Sequence, residues 1–110
     1  MAQGKYIGGL EESVLIAIHA LGADAYGVTI HDALRNAGRH ISIGSLYITL
    51  GRLEEKKYIV SNEAEPTEER GGRAKRYFQL TGHGIRALSD AEVTRNLLAS
   101  QAKGSLPWKA

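Results

Sequence analysis

Four basic side chains cluster in the second half of the sequence, directly after a run of acids. Residues 63–69 carry four glutamates and no base, whereas residues 70–76 carry no acid. On a chain with a net charge of only +2, such a patch is typical of a surface that meets phosphate groups. A solvated hairpin with ion pairs between its strands is the alternative that charge alone leaves open. The basic residues are Arg70, Arg73, Lys75 and Arg76.

A second set of candidate binding residues lies on one side of a predicted helix over residues 42–57. At about 100° per residue, this side carries hydroxyls, an isoleucine and an arginine instead of dense charge. Arginine suits a guanine edge, and an aliphatic side chain suits a thymine methyl group. The alternative is that this side of the helix faces solvent and has no function. For the tyrosine on the flank of the helix, we expect a hydroxyl directed toward a phosphate, with pure packing as the alternative. The candidates are Ser42, Ser45, Tyr47, Ile48, Thr49 and Arg52.

Other motifs do not support catalysis or cofactor binding. Residues 82–87 read Gly-x-Gly-x-x-Ala, as in dinucleotide-binding proteins, but too little chain follows for the second strand of a βαβ unit. The four histidines fall in separate segments, and there is no cysteine to bind zinc or act as a nucleophile. We therefore predict no metal, no cofactor and no enzymatic activity.

Hydrophobic periodicity and turn residues predict the elements that would position these side chains. Apolar positions at helical spacing predict helices over residues 10–21, 26–37 and 42–57, with Asp24 and Ser42 as candidate caps of the last two. Residues 58–63 and 73–80 are rich in strand formers and flank a turn with proline and glycine, which predicts a β-hairpin. Thr81 caps a final helix. The predicted inward stripe of the third helix is Ile43, Leu46, Leu50 and Leu53.

The order helix, helix, helix, hairpin, helix is typical of a winged helix-turn-helix, a mainly α fold with a small β-hairpin wing. In this fold the third helix enters the DNA groove and the hairpin lies along the backbone. We divide the chain into a flexible tail (1–8), a DNA-binding domain (9–81), a C-terminal dimerisation helix (82–103) and a second flexible tail (104–110).

The last helix is too apolar for a lone surface element on so small a core. We expect it to pair with the same helix, and with the first helix, of a second subunit. A two-fold dimer predicts a pseudo-palindromic operator. The predicted dimerisation residues are Leu10, Val14, Ile85, Leu88, Ala91, Leu97 and Leu98.

Residues 24–88 resemble the PadR family of bacterial transcriptional regulators. The matching segments are Ala25-Tyr26-Gly27, Gly44-Ser45-Leu46-Tyr47, Arg52-Leu53-Glu54-Glu55, Gly71-Gly72-Arg73 and Arg76-Tyr77-Phe78. The resemblance implies a homodimeric winged-helix repressor of the compact branch, which has a single C-terminal helix. It also implies that the recognition helix and the wing bind double-stranded operator DNA, and that a small aromatic effector is a partner in some members.

The chain departs from this family pattern at two places. Ile48 stands where many relatives carry proline, so the groove contact differs. Relatives that trap flat aromatic molecules use a tryptophan in the last helix, whereas the only tryptophan here, Trp108, lies in the tail. This difference argues against an aromatic effector for this chain.

The sequence predicts a cytoplasmic protein with no membrane partner. No apolar run approaches the roughly 20 residues that span a bilayer, and the first six residues have no signal-peptide core. The predicted function is sequence-specific DNA binding by a dimeric repressor. A winged-helix protein-interaction module without specific DNA binding is the alternative, because the acidic run beside the wing must be kept away from phosphates.

Overall fold

The fold is the predicted winged helix-turn-helix, seen in a computed structural model that describes residues 7–64 and 75–102. Within these residues the elements are α1 (Gly9–Leu21), α2 (Gly27–Asn36), α3 (Ile43–Glu55), β1 (Ile59–Glu63), β2 (Arg76–Leu80) and α4 (Gly82–Ser100). A short 3₁₀ turn, Gly22–Asp24, joins α1 to α2. Five residues named above lie outside the described residues: Arg70, Gly71, Gly72, Arg73 and Trp108.

One hydrophobic core holds the first three helices and the sheet together. The predicted inward stripe of α3 is confirmed at Leu46, Leu50 and Leu53, all of which are buried. Ile43 is exposed instead, because it opens α3 and stands at the end of the stripe. The fully buried large side chains come from α1, α2, α3 and β1: Val14, Leu15, Ile18, Ile30, Leu46, Leu50, Leu53 and Ile59.

Hydroxyl side chains fix where α3 and α4 begin. The Ser42 Oγ accepts a hydrogen bond from the Ser45 N–H at 3.0 Å, and the Thr81 Oγ1 accepts one from the Gly84 N–H at 3.0 Å, so both predicted caps are confirmed. The predicted cap of α2, Asp24, is wrong. Asp24 belongs to the 3₁₀ turn, and the N-cap residue of α2 is Tyr26.

The wing is a two-stranded antiparallel sheet in which Ile59 pairs with Leu80 and Glu63 with Arg76. Backbone contacts join it to the helical core at the start of α2. The Phe78 N–H donates to the Ala25 carbonyl at 2.9 Å, and Tyr26 forms an isolated bridge with Tyr77. The wing is therefore held against the first residues of α2.

Helix α4 is attached to the rest of the chain mainly at its first turns. Gly84 and Ala87 are its buried residues. Further along, Leu97 and Leu98 are 59% and 63% exposed, so the described residues leave these apolar side chains of α4 uncovered. No helix in the described part of the chain is long and apolar enough to cross a membrane.

One residue of the predicted dimerisation set is placed differently. Val14 is 0% exposed and packs in the chain's own core, so its prediction as a surface contact is wrong. Leu10 and Leu88 are partly buried against that core. The periodicity of α1 marks an inward side but does not say whether that side meets its own core or a partner.

Candidate nucleic-acid interface

The exposed side of α3 carries four of the six predicted groove residues. Ser45, Ile48 and Arg52 are exposed, with Ile48 at 59%, and Tyr47 is exposed beside them. Ser42 is exposed at the N-cap, where its Oγ donates to the Ser45 Oγ at 3.0 Å. The opposite side of α3 fills the core, so the helix offers one free side that a DNA groove can receive.

Thr49 is the exception in this predicted set. It is only 4% exposed, and its Oγ1 donates to the Ser45 carbonyl oxygen at 2.9 Å. The prediction that Thr49 faces a groove is therefore wrong. Helical spacing explains the position, because Thr49 follows the buried Leu46 by three residues and precedes the buried Leu53 by four.

Tyr47 lies against the start of α2. A β-carbon added to Gly27 would lie 2.9 Å from the Tyr47 Cζ and would overlap the hydroxyl. Gly27 is the first residue of α2, where unpaired N–H groups create a partial positive charge. The Tyr47 hydroxyl is thus placed where a phosphate group is electrostatically favoured.

Lys75 also lies at the start of α2, over the ring of Tyr26. Its Nζ is 3.9 Å from the centre of the Tyr26 ring, and the Tyr26 and Tyr77 rings meet edge to face with centroids 5.3 Å apart. A cation over an aromatic face is stabilised by the ring quadrupole. Tyr26, which sequence reasoning did not single out as a functional residue, therefore positions the ammonium group of Lys75.

Arg76 is directed away from Lys75, to the opposite side of the hairpin. Its Nη1 donates to the Ser61 Oγ at 2.7 Å, and the Ser61 Oγ donates to the Glu54 Oε2 at 2.6 Å. Successive side chains of a strand alternate between its two sides. Lys75 and Arg76, as neighbours in the chain, therefore lie on opposite sides of the hairpin, in agreement with their different contacts.

His31 braces the connection between α2 and α3. Its Nε2 lies 2.7 Å from the Ile41 carbonyl oxygen, which requires the tautomer that carries the proton on Nε2. Ile41 directly precedes the N-cap Ser42, so this bond restrains the entry to α3. Sequence reasoning treated the histidines as scattered residues, and a single histidine in a helix gives no indication of a partner ten positions away.

An open groove of about 490 Å³ separates the N-terminal part of α1 from α4. It is lined mainly by apolar and small side chains, including Ile7, Ala87 and Leu98, and an ion pair between Arg95 and Glu12 lies beside them. In the described residues, no three histidine or acidic side chains come together in a way that could hold a metal ion.

Comparisons with known proteins agree with this geometry. A family model described as the transcriptional regulator PadR-like family matches residues 14–90. Transcriptional regulator Rv3488 of Mycobacterium tuberculosis is 32% identical over 89 residues, which cover 76% of this chain and 79% of that protein.

Solved structures give the same result. The structure of a PadR-like transcription factor from Bacteroides fragilis matches with a TM-score of 0.70 at 27% identity, covering 83% of this chain and 84% of that chain. A Streptococcus transcriptional regulator matches with a TM-score of 0.66 at 28% identity, covering 84% of this chain and 86% of that chain.

Proposed function

Because this chain belongs to the PadR-like family of transcriptional regulators, we propose that it is a homodimeric repressor that binds a pseudo-palindromic operator. Family membership makes the chain a regulator and not an enzyme. The observation that carries the proposal is the free side of α3, where Ser45, Ile48 and Arg52 are exposed while the opposite side is buried. This side enters a major groove, with Arg52 on a guanine edge and Ile48 on a thymine methyl group.

Phosphate contacts come from two side chains at the start of α2. The Tyr47 hydroxyl and the Lys75 ammonium group lie next to Gly27 and Tyr26 respectively. Contacts to phosphates fix the orientation of a protein on the duplex without reading its sequence. The wing residues Arg70 and Arg73 stay predictions, since they lie outside the described residues.

The dimer contact in this proposal is the uncovered stripe of α4. Ile85, Val93, Leu97 and Leu98 are all more than half exposed. Val93 and Leu97, one helical turn apart, form an exposed apolar surface that marks an interaction site, and a second copy of α4 supplies a matching apolar surface. Two-fold symmetry then sets the half-sites about ten base pairs apart, or a multiple of that spacing.

An effector of this repressor would occupy the groove between α1 and α4. Its volume of about 490 Å³ lies in the range of small-molecule sites. The described residues that line it include no aromatic side chain, which argues against a flat aromatic ligand held by stacking. A small apolar molecule fits this lining better. Release of bound DNA on addition of such compounds, followed by anisotropy, tests this part of the proposal.

Fluorescence anisotropy tests the DNA-binding proposal. The labelled duplex carries the DNA upstream of the protein's own gene, and a shuffled duplex of the same composition is the control, both at ~150 mM salt. We expect tight binding to the native duplex alone, with two chains per site. Equal and weak binding to both duplexes would replace the proposal with the protein-interaction module.

Single-residue variants extend this experiment to the reading of bases. Replacing Arg52 with alanine should relax the sequence preference by removing a base contact. The matched control is Arg35→Ala, which removes an exposed arginine from the last turn of α2, at the other end of that helix from Gly27. An Arg52→Ala protein with unchanged preference would contradict the assignment of Arg52.

A further inference from the structure

We propose that Arg76 is a positioning residue that fixes the wing relative to the recognition helix through Ser61 and Glu54, and that it is not an anchor for DNA phosphates. This inference rests on the proposed DNA-binding function. It replaces the expectation from the sequence that all four basic wing residues contact the DNA backbone or an adjacent minor groove.

Three elements meet at one hydroxyl group. Ser61 of β1 accepts from the Arg76 Nη1 of β2 at 2.7 Å and donates to the Glu54 Oε2 of α3 at 2.6 Å. We call this arrangement the Arg76–Ser61–Glu54 bridge. A serine hydroxyl has a single proton to donate, and here that proton goes to the Glu54 carboxylate. Both bonds involve a charged partner, which makes them stronger than bonds between neutral groups.

Electrostatics favours keeping Arg76 at this place. Glu54 lies in the last turn of α3, where the helix dipole adds a partial negative charge to that of the carboxylate. The positive charge of the Arg76 guanidinium offsets both the carboxylate charge and the partial negative charge of the helix end. Moving Arg76 onto a phosphate would leave Glu54 uncompensated close to the negatively charged duplex.

The bridge also restrains the hairpin at a place away from its backbone contacts with α2. The Phe78–Ala25 bond and the Tyr26–Tyr77 bridge hold β2 against the start of α2. The Arg76–Ser61–Glu54 bridge holds the opposite side of the hairpin against the end of α3. With both sides held, the wing keeps one angle to the recognition helix, and Lys75 meets the backbone at a fixed distance from the groove.

The salt dependence of DNA binding separates a positioning residue from a phosphate anchor. Each phosphate contact contributes about 0.9 to the slope of log affinity against log salt. We expect Arg76→Gln and Ser61→Ala each to lower affinity for the upstream duplex about five-fold, with the wild-type slope. Ser61→Thr, which keeps the hydroxyl, should retain most of the affinity that Ser61→Ala loses.

Two further variants complete the set. Lys75→Gln is the matched control, because removing a true anchor lowers the slope by about 0.9 per contact. The double variant Ser61→Ala with Arg76→Gln should lose no more affinity than the worse single variant, since both changes break one bridge. A reduced slope for Arg76→Gln, or wild-type affinity for Ser61→Ala, would overturn the proposal.

Amide hydrogen exchange of the free protein tests, in the absence of DNA, whether the Arg76–Ser61–Glu54 bridge restrains the wing. Both Ser61→Ala and Arg76→Gln should speed exchange in β1 and β2 while leaving α2 unchanged. If the wild-type protein shows no preference for the upstream duplex, the DNA-binding function fails, and exchange still decides whether the bridge restrains the wing. Unchanged exchange in β1 and β2 would show that it does not.

Discussion

The Tyr47 hydroxyl of α3 occupies the space that a β-carbon on Gly27 of α2 would need. The recognition helix and the helix before it approach this closely because residue 27 has no side chain. The same approach places the hydroxyl at the positive end of α2. The close packing of Tyr47 against Gly27 therefore also positions the hydroxyl for its proposed contact with DNA.

Gly27→Ala should destabilise the protein by about 1–3 kcal/mol, because the added methyl group overlaps the Tyr47 ring. The loss should be much smaller in a Tyr47→Ala background, where the space is free. Urea unfolding measures both values. The matched control is Gly51→Ala in α3, where a β-carbon meets nothing within 4 Å and helix propensity predicts a gain of about 0.5–1 kcal/mol. Equal losses in the two backgrounds would disprove the clash.

His31→Ala should lower both stability and DNA affinity, because the Ile41 carbonyl loses its partner and the entry to α3 loosens. The expected loss of stability is about 1 kcal/mol. His31→Gln, which keeps an N–H donor, should recover part of it. His40→Ala removes an exposed histidine from the same connection and should have little effect on thermal unfolding. A His31→Ala protein as stable as His40→Ala would refute this role.

The ion pair between Lys56 and Glu11 should contribute more to stability than the one between Arg35 and Asp32. The Lys56 Nζ donates to both Glu11 oxygens, at 3.0 and 2.9 Å, in a half-buried place between α3 and α1. The Arg35–Asp32 pair is exposed on α2. Double-mutant cycles in denaturant should give coupling of about 1 kcal/mol for the first pair and at most about 0.5 for the second. In 1 M salt the second coupling should vanish, and the reverse ranking would contradict our account of burial.

Leu97→Asp should convert the proposed dimer to a monomer by placing a charge in the apolar stripe of α4. Sedimentation velocity measures the change directly. The matched control, Asn36→Asp, adds the same charge at an exposed position at the end of α2 and should leave the dimer intact. Since two chains share one operator, Leu97→Asp should also weaken specific DNA binding more than ten-fold while leaving the thermal stability of each chain similar.

Local patterns in the sequence predicted the parts of the fold that depend on neighbours in the chain. Ser42 and Thr81 were recognised as caps because a hydroxyl before an apolar helical pattern has one common use. The burial of Leu46, Leu50 and Leu53 followed from their spacing. The order of the elements predicted the winged helix because few folds share it.

Features that depend on distant partners were not predicted. The contacts of His31 with Ile41, Lys75 with Tyr26 and Ser61 with Arg76 form only after the chain folds. Val14 was misplaced for a related reason, since periodicity marks a buried side without naming what buries it. Thr49 shows a different error, because it lies between the exposed Ser45 and the buried Leu53 around the helix, and the helical angle alone does not decide to which side such a residue belongs.

Because α4 is fixed to the wing at its first turn, a small change of angle at this junction produces a large displacement at the far end of the helix. Gly84 packs so tightly that a β-carbon there would lie 3.0 Å from the Tyr58 carbonyl carbon, and Thr81 donates to the Lys57 carbonyl at 2.7 Å. These contacts fix one end of a 19-residue helix, which is about 28 Å long. A tilt of about 10° at this first turn moves the far end of the helix by about 5 Å. In the proposed dimer, the first turn of α4 therefore sets the distance between the two recognition helices, and with it the operator spacing that the protein accepts.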